Sequence, residues 1–377
     1  MLTHHDYHIH DPSSLPTPCL LVYPAKIRHN LTEMLRIAGS PARLRPHVKT
    51  HKTPQIIAMA LESGIAKHKC ATLSEARMLG ECRVSDVLMA YPPVGPAVRI
   101  LSHIVQQYPQ TRFSTVVDNL QSLRQLEAEW SSHKSKLEVL VDIDTGMHRT
   151  GIPLGDAADE LYLQLSQSQF LHAAGLHIYD GQNHQPELQL RRQAVSELLQ
   201  PVLAMVARLQ GRGAAVPKLV CGGTPTFPVF AEMKLSDIDI SLECSPGTCV
   251  LSDFNYGRDY SDMAGFEPAA VLLTRVISRQ HADRVTVDLG YKAVASDPPA
   301  GRRCHFLDLP DARELQHSEE HLVVGVPESS TLAVGDVLYA LPAHVCPTVA
   351  LHSHLVVVES GRVVDRWAVT ARDRIYA

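Results

Sequence analysis

A short apolar run that ends in a polar loop decides the fold: Leu137-Glu-Val-Leu-Val-Asp-Ile-Asp144, followed by Thr145-Gly-Met-His-Arg-Thr-Gly151. The run predicts a strand, and similar runs recur along the chain. They cover residues 43–48, 68–72, 86–90, 113–117, 137–143, 171–179, 218–221 and 237–242. Between them lie segments with helical periodicity, such as residues 54–63, 96–108, 120–131 and 188–210.

This alternation of strands and helices indicates a parallel sheet. Eight such units favour a TIM (β/α)8 barrel, with a doubly wound open sheet as the alternative. After Gly265 the pattern changes, because long helical stretches are absent and residues 271–278, 284–289, 321–326, 336–340 and 355–359 are typical of strands. We therefore predict a barrel over residues 20–264 and an all-β domain over residues 265–377, to which residues 1–19 add a strand.

Composition excludes several classes of protein. The chain has 377 residues, of which 45% are hydrophobic and 20% charged, so intrinsic disorder is excluded. The net charge of −5 and the lack of a lysine and arginine block argue against nucleic-acid and membrane-surface binding. No apolar run approaches the roughly 18–20 residues that span a bilayer, and the N-terminus has no signal-peptide pattern. We expect a cytoplasmic protein whose eight scattered cysteines are thiols.

The loops after the predicted strands carry the chemistry, because barrel active sites lie at the carboxyl ends of the strands. Lys49 follows the first strand. The seventh and eighth loops, Cys221-Gly-Gly-Thr-Pro-Thr226 and Glu243-Cys-Ser-Pro-Gly-Thr248, are rich in glycine and hydroxyl groups. Backbone N–H groups at small residues and threonine hydroxyls suit a phosphate dianion, although either loop alone could be an ordinary tight turn.

A lysine at the mouth of such a barrel is either a plain cation or a Schiff-base lysine. Lys49 has a nearby competitor in Lys52, which we interpret as an exposed charge. Lysine, phosphate loops and Tyr179 in the sixth loop together suit pyridoxal phosphate. Its aldehyde would take Lys49, its phosphate the seventh and eighth loops, and the aromatic ring would lie against its pyridine ring.

Two motifs carry a family resemblance: Arg45-Pro-His-Val-Lys-Thr-His-Lys52 and Asp144-Thr-Gly-Met-His-Arg-Thr-Gly151. With them, nearly the whole chain resembles the D-threonine aldolase and D-serine dehydratase family of alanine-racemase-like (fold type III) pyridoxal-phosphate enzymes. The resemblance implies that Lys49 bears the cofactor, that Arg149 contacts its phenolic oxygen, and that Tyr179 lies beside its ring. The remaining cofactor-binding residues that it implies are Gln182, Gly223, Thr224, Gly247 and Thr248. Dehydratases of the family often have Asn where this chain has Thr248, so that contact can differ.

His344 and Cys346 form a candidate metal pair in Leu341-Pro-Ala-His-Val-Cys-Pro-Thr348. Residues i and i+2 of an extended chain project to one face, and imidazole with thiolate suits Zn²⁺. Two ligands alone are a weak signal, and a buried His beside an inert Cys is the ordinary interpretation. The resemblance favours a divalent metal, since members carry one on a C-terminal His-x-Cys pair (zinc dehydratases) or a His-x-Asp pair (aldolases, with Mn²⁺ or similar ions). Cys346 favours Zn²⁺, with Mn²⁺ possible.

The function implied is a metal-dependent lyase of D-3-hydroxy amino acids. We favour the D-serine dehydratase type because of Cys346, with D-threonine aldolase as the first alternative because the loops around Gly223 and Pro246 look more like those of bacterial aldolases. A racemase and a non-catalytic pyridoxal-phosphate carrier are further alternatives, and the β domain argues against the carrier. The resemblance also implies a homodimer in which each β domain faces the partner's barrel.

Several polar residues near the inferred pocket have no clear role in the sequence. His47, His51 and His184 are candidates for substrate contact. Asp142 and Asp144 could be paired carboxylates, but we expect them to orient Arg149 or to cap the following segment.

Overall fold

The computed structural model describes residues 4–233, 235 and 240–375. Within that part of the chain, contacts divide the protein into two compact units. The first, here the barrel unit, comprises Met34–Lys49, Ile57–Gly247 and Asp373–Ala377; the second, here the β unit, comprises Met1–Glu33, Thr50–Ile56 and Thr248–Arg372. The contact-defined units thus assign residues 20–33, 50–56 and 248–264 to the β unit. The domain boundary between residues 264 and 265 stays a prediction.

The described residues form seventeen strands and ten α-helices. The strands are β1 (Cys19–Val22), β2 (Lys67–Cys70), β3 (Asp86–Met89), β4 (Arg112–Val117), β5 (Leu137–Asp144), β6 (Ile152–Pro153), β7 (Leu171–Ile178), β8 (Lys218–Cys221), β9 (Ser241–Cys244), β10 (Ala270–His281), β11 (Arg284–Val287), β12 (Cys304–Phe306), β13 (Arg313–His317), β14 (Leu322–Gly325), β15 (Val337–Pro342), β16 (His354–Glu359) and β17 (Arg362–Ala368). The helices are α1 (Pro24–Ala38), α2 (Pro54–Glu62), α3 (Leu73–Glu81), α4 (Pro96–Gln107), α5 (Leu120–Trp130), α6 (Asp156–Ser166), α7 (Leu188–Gly211), α8 (Phe227–Glu232), α9 (Phe254–Asp259) and α10 (Val345–Leu351).

The barrel unit is built on a parallel sheet in the order β2-β3-β4-β5-β7-β8-β9, with β6 paired to β5. Leu44 bridges Cys244 and His47 bridges Lys69, both in the parallel sense, so the segment from 44 to 47 joins the two edges of the sheet. This segment is the predicted first strand, 43–48, but it makes single bridges and no ladder. Pro46 explains the difference, because proline has no N–H to give to a ladder. Of the predicted strand 237–242, residues 237–239 lie outside the described residues, and residues 241 and 242 belong to β9.

Local sequence signals position the helices around the sheet. At the start of α3, the Thr72 hydroxyl accepts a hydrogen bond from the Glu75 N–H at 3.1 Å, and the Glu75 carboxylate accepts one from the Ala71 N–H at 2.7 Å. This reciprocal pattern satisfies N–H groups that have no partner within the helix. Inside the barrel, one apolar layer is formed by Leu88, Val116, Leu140, Ala174 and Val220. Each comes from a different strand, so the barrel is a packed core that closes below its mouth.

The β unit contains a mostly antiparallel sheet in the order β13-β14-β11-β10-β1-β16-β17, with β15 paired to β10 and β12. The strand β1 pairs antiparallel to β10 and parallel to β16. The N-terminal strand of this sheet comprises residues 19–22, of which only Cys19 falls within the predicted segment 1–19. The predicted fold, a parallel β/α barrel followed by an antiparallel β domain, is confirmed. No described helix combines the length and the apolar character that crossing a membrane requires.

Candidate active site

Lys49 lies in a single 3-10 turn, Val48–Thr50, directly after the segment that joins the edges of the barrel sheet. Two hydrogen bonds fix the backbone that leads into it: the His47 N–H donates to the Pro246 carbonyl at 2.9 Å, and the Lys49 N–H donates to His47 Nδ1 at 3.2 Å. The imidazole of His47 is thereby occupied in holding the backbone of Lys49. The lysine side chain is half-buried.

The seventh and eighth loops are joined to each other. The Gly247 N–H donates to the hydroxyl of Thr224 at 3.1 Å, and the Thr224 side chain is buried. Gly222 has φ +80°, and a Cβ there would lie 2.8 Å from the Phe230 ring, so this turn requires glycine. The Ser245 hydroxyl is buried with no hydrogen-bond partner among the described residues. A pair of joined glycine-containing loops with an unpaired buried donor fits the phosphate of pyridoxal phosphate.

The sixth loop carries Tyr179 and Gln182. The guanidinium carbon of Arg149 lies 4.8 Å from the centroid of the Tyr179 ring, which is a cation–π contact. The ring occupies space that a Cβ at Gly181 would enter, at 2.6 Å from the Tyr179 Cε1 atom. Gln182 donates to the Thr145 carbonyl at 3.0 Å, and its own carbonyl oxygen is buried without a described partner. Arg149 and Tyr179 are therefore in contact, and Gln182 is bonded to Thr145, four residues before Arg149.

Asp180 was not singled out from the sequence, and its position directly after Tyr179 is the only signal that could have found it. Its carboxylate accepts a hydrogen bond from the Thr226 hydroxyl at 2.9 Å, and that hydroxyl in turn accepts one from the Gly223 N–H at 3.3 Å. Asp180 thus links the sixth loop to the seventh. Burial raises the pKa of its carboxyl to about 6, against the hydrogen bonds that favour its charge.

The two aspartates of the fifth strand have different partners. Asp144 caps the loop that follows, since its carboxylate accepts hydrogen bonds from the N–H groups of Gly146 at 2.9 Å and His148 at 3.0 Å. Asp142 was expected to orient Arg149 or to cap the following segment, and it contacts that segment by accepting a hydrogen bond from the Thr150 hydroxyl at 3.0 Å. Its carboxylate also lies 2.6 Å from His177 Nδ1. The sequence did not single out His177, which lies inside an apolar run.

In the β unit, His344 is the residue that precedes helix α10, and Cys346 lies in its first turn. The expected extended geometry is therefore wrong, because the helix begins between the two residues. Each is nevertheless among the groups that shift the pKa of the other, so the two side chains interact. The Cys346 sulfur also lies 3.2 Å from the Thr50 hydroxyl and 3.5 Å from the Thr248 hydroxyl. Thr248, which was predicted to bind the cofactor, thus lies beside Cys346 in the β unit.

The surroundings shift the pKa of each member of this pair toward its charged form. Burial opposes ionisation of Cys346, but hydrogen bonds from His344, Thr50 and Thr248 hold the pKa of its thiol below the usual value. Burial also opposes the charged form of His344, but its contacts with Cys346 and Asp297 raise its pKa to about 9. A thiolate beside an imidazole is a donor set that suits zinc. No group of three or more His, Cys, Asp or Glu residues that could hold a metal occurs in the described part of the chain, so protein ligands would leave positions open.

The other candidate histidines belong to different units. His51 is buried in the β unit, where its Nδ1 accepts a hydrogen bond from the Thr53 N–H at 3.2 Å. His184 is exposed on the sixth loop of the barrel unit.

Comparisons with known proteins agree with this architecture. The model of the alanine racemase N-terminal domain matches residues 22–240, and that of a putative serine dehydratase domain matches residues 269–358. The chain is 30% identical to a D-threonine aldolase of Arthrobacter sp, over 96% of this chain and 94% of the relative. It is 25% identical to the D-threo-3-hydroxyaspartate dehydratase of Delftia sp. strain HT23, over 94% of this chain and 97% of the relative. The crystal structure of D-threonine aldolase from Filomicrobium marinum superposes with a TM-score of 0.84 at 26% identity, covering 97% of each chain. The chain belongs to the D-threonine aldolase and D-serine dehydratase family of alanine-racemase-like pyridoxal-phosphate enzymes, and it is a lyase.

Proposed function

We propose that this protein is a pyridoxal-phosphate- and metal-dependent lyase of D-3-hydroxy amino acids, of the D-serine dehydratase (D-serine ammonia-lyase) type. The observation that carries the proposal is the placement of His344 and Cys346 at the start of helix α10, with the Thr50 and Thr248 hydroxyls 3.2 and 3.5 Å from the sulfur. A thiolate ligand favours Zn²⁺ over the harder Mn²⁺. In the family resemblance, a histidine and cysteine pair accompanies dehydration.

The cofactor would be held by residues of the barrel unit. The family resemblance implies that Thr248 would bind it as well. Lys49 would bond to its aldehyde, and the joined loops around Gly223, Thr224 and Gly247 would take its phosphate. Arg149 would contact its phenolic oxygen, with Tyr179 and Gln182 beside the ring. When bound, the cofactor supplies a sink for the negative charge that develops at the substrate Cα.

His344 and Cys346 would hold the metal ion. Bound there, a divalent ion supplies Lewis-acid stabilisation of the oxygen that leaves the substrate β-carbon. Asp297 would keep the His344 ring oriented through its contact with Nδ1, at 2.5 Å.

The protein's own part in the reaction is proton transfer. Lys49, as the neutral amine, would take the proton from Cα of a D-amino acid. The His47 contact that holds the backbone of Lys49 would keep the amine on one side of the substrate. Loss of the β-hydroxyl then yields an enamine, which decays in water to a 2-oxo acid and ammonia.

D-threonine aldolase is the second candidate. It is favoured by the 30% identity to an Arthrobacter protein of that name. In that reaction the β-hydroxyl loses its proton and the Cα–Cβ bond breaks, which gives glycine and an aldehyde. The two reactions require the same kinds of group, so the products distinguish them.

The test is product analysis with D-serine and D-threonine, using the enzyme loaded with cofactor and either Zn²⁺ or Mn²⁺. A dehydratase gives pyruvate and ammonia in equal amounts from D-serine, and 2-oxobutyrate from D-threonine. Glycine and acetaldehyde from D-threonine would instead establish the aldolase.

A chelator should abolish turnover and leave the absorbance of the bound cofactor intact, whereas full activity without metal would contradict the role of His344 and Cys346. A homodimer and a cytoplasmic location are also proposed, and mass measurement in solution tests the first.

A further inference from the structure

The joining segment, residues 44–47, leads directly into the turn that carries Lys49. Its backbone forms single bridges to β9 and β2 and no ladder, because Pro46 has no N–H to give. Since a sheet is stabilised pair by pair, isolated bridges hold a segment less firmly than a ladder does. A shift of this segment along the sheet edges would move the Lys49 amine with it.

The Arg45 side chain supplies a second set of bonds to this segment. It is 1% exposed, its Nε donates to a Glu243 carboxylate oxygen at 2.6 Å, and its Nη1 donates to an Asp86 carboxylate oxygen at 2.7 Å. Asp86 is the first residue of β3, and Glu243 is the third residue of β9. One guanidinium therefore ties the joining segment to strands that lie on either side of it around the barrel.

These bonds join ionised groups. Burial opposes ionisation of the Asp86 and Glu243 carboxyls, but the Arg45 guanidinium holds the pKa of each below its usual value. Each carboxylate also faces another cation, which is Arg112 for Asp86 and Lys67, at 2.5 Å, for Glu243. The guanidinium is a rigid fork whose N–H groups point in fixed directions, whereas a lysine in its place would keep the charge and lose the fork.

A short path leads from Arg45 to Lys49. The His47 N–H donates to the Pro246 carbonyl at 2.9 Å, and His47 Nδ1 accepts a hydrogen bond from the Lys49 N–H at 3.2 Å. The 3-10 turn Val48–Thr50 follows at once. A displacement of Arg45 therefore reaches the Lys49 backbone within four residues, through a segment that is hydrogen-bonded at His47 and again at Lys49.

We propose, on the basis of the function above, that Arg45 positions Lys49 for its bond to the cofactor. By holding Asp86 and Glu243, the Arg45 fork fixes the joining segment along the sheet edges, so that the Lys49 amine meets the cofactor aldehyde. The Lys49 ammonium and the aldehyde give a protonated carbon–nitrogen double bond and one water molecule, so atoms and charge balance. Arg45 is thus a positioning residue that acts through Lys49.

The test compares two probes of the cofactor site. Pyridoxal 5′-phosphate can bond to Lys49, whereas pyridoxine 5′-phosphate carries an alcohol in place of the aldehyde and cannot. Fluorescence titration of the cofactor-free protein gives the affinity for each probe in the wild type, Arg45→Lys and Arg208→Lys. Arg208 is the matched control, because it forms a similar two-bond ion pair with the buried Asp159, at 2.6 and 2.9 Å, between helices α7 and α6.

Arg45→Lys should bind pyridoxal phosphate at least about 10-fold more weakly than the wild type and pyridoxine phosphate within about 2-fold of it, because only the first probe requires a correctly placed amine. Arg208→Lys should match the wild type with both probes. Glu243→Gln keeps the shape of the partner and removes its charge, so it should show the same selective loss, and it tests the proposal even if Arg45→Lys fails to fold.

An equal loss for the two probes would mean that Arg45 only stabilises the fold, and no loss for either would mean that the fork does not place Lys49. Either result would overturn the inference while leaving the lyase assignment intact. Equal affinity of the wild type for the two probes would instead contradict the bond to Lys49, and with it the proposed function on which the inference rests.

Discussion

The Nδ1 atom of His344 lies 2.5 Å from a carboxylate oxygen of Asp297, a residue 47 positions earlier in the chain. This contact fixes the ring so that Nε2 is the nitrogen left for a metal ion. Carboxylates that hold a ligating histidine in this way typically change metal affinity by 10–100-fold when removed. Both side chains are partly exposed, so the lower end of that range applies.

Asp297→Ala should therefore weaken zinc binding by about 10-fold, with Asp297→Asn intermediate because it keeps an acceptor. Competition with a chromogenic chelator measures this without reference to activity. Asp283→Ala is the matched control, because Asp283 is an exposed aspartate of the same unit whose partner is Arg284, at 2.7 Å. Unchanged affinity in Asp297→Ala would mean that the contact does not orient a ligand.

Lys49→Met should abolish covalent attachment of the cofactor, because no other amine takes its place at the end of the joining segment. The wild type should absorb at roughly 410–420 nm, as lysine-bound pyridoxal phosphate does, and borohydride followed by peptide mapping should locate the label on Lys49. Lys52→Met is the control and should keep both properties. A label on Lys52 or Lys69 would refute the assignment.

Thr224→Val should weaken cofactor binding by about 10-fold, equivalent to roughly 1.4 kcal/mol. The substitution removes the hydroxyl that accepts the Gly247 N–H and joins the two loops. The affinity is measured by fluorescence titration of the cofactor-free protein. Thr111→Val is the control: its hydroxyl is also buried but has no partner among the described residues. If both variants bind equally well, phosphate is not held there.

Turnover should be restricted to D-isomers. A single lysine on one side of the cofactor reaches only the α-hydrogen on that side. L-Serine and L-threonine should react at least about 100-fold more slowly than their D-isomers, and neither alanine isomer should react. Chiral chromatography of the residual substrate checks this restriction to D-isomers. If L-isomer forms from a D-substrate as fast as product does, the enzyme is a racemase.

The stability of the protein should fall with acidification because of His68 on β2. Burial, together with the nearby Arg45 charge, lowers its pKa from 6.5 to about 3. Between these values the unfolded chain binds a proton that the folded chain does not, so stability is full above about pH 6.5 and is lost as the pH falls. The loss should be about 2 kcal/mol between pH 7.5 and pH 5.

Urea unfolding at the two pH values measures this effect in the wild type, His68→Leu and His172→Leu. The leucine at position 68 should remove the His68 part of the pH dependence, since its imidazole Nδ1 has no partner among the described residues. His172 is exposed on β7, so its replacement should leave the wild-type dependence in place. An identical pH dependence in His68→Leu and the wild type would contradict the prediction.

Much of the site could be predicted because barrels place their chemistry at strand ends. Lys49 and the glycine-containing loops near Thr224 and Gly247 follow strands that are recognisable from apolar runs alone. The joining of the seventh and eighth loops through Thr224 and Gly247 then follows from the adjacency of β8 and β9. The predicted first strand was less accurate, because Pro46 replaces a ladder with isolated bridges.

The sequence by itself determined the order of β and α units, the change to antiparallel strands after Gly265, and the lysine at the first strand end. These features follow from the periodicity and composition of short segments, which do not depend on the rest of the chain. Only the tertiary structure decided that Asp142 meets His177, that Lys69 lies beside that pair, and that Asp297 reaches His344. All three contacts join residues far apart in the chain, and those made by Lys69, Asp142 and His177, which lie on β2, β5 and β7, depend on strand register. A one-residue change in register would turn these three side chains to the opposite face, and no local pattern records that choice.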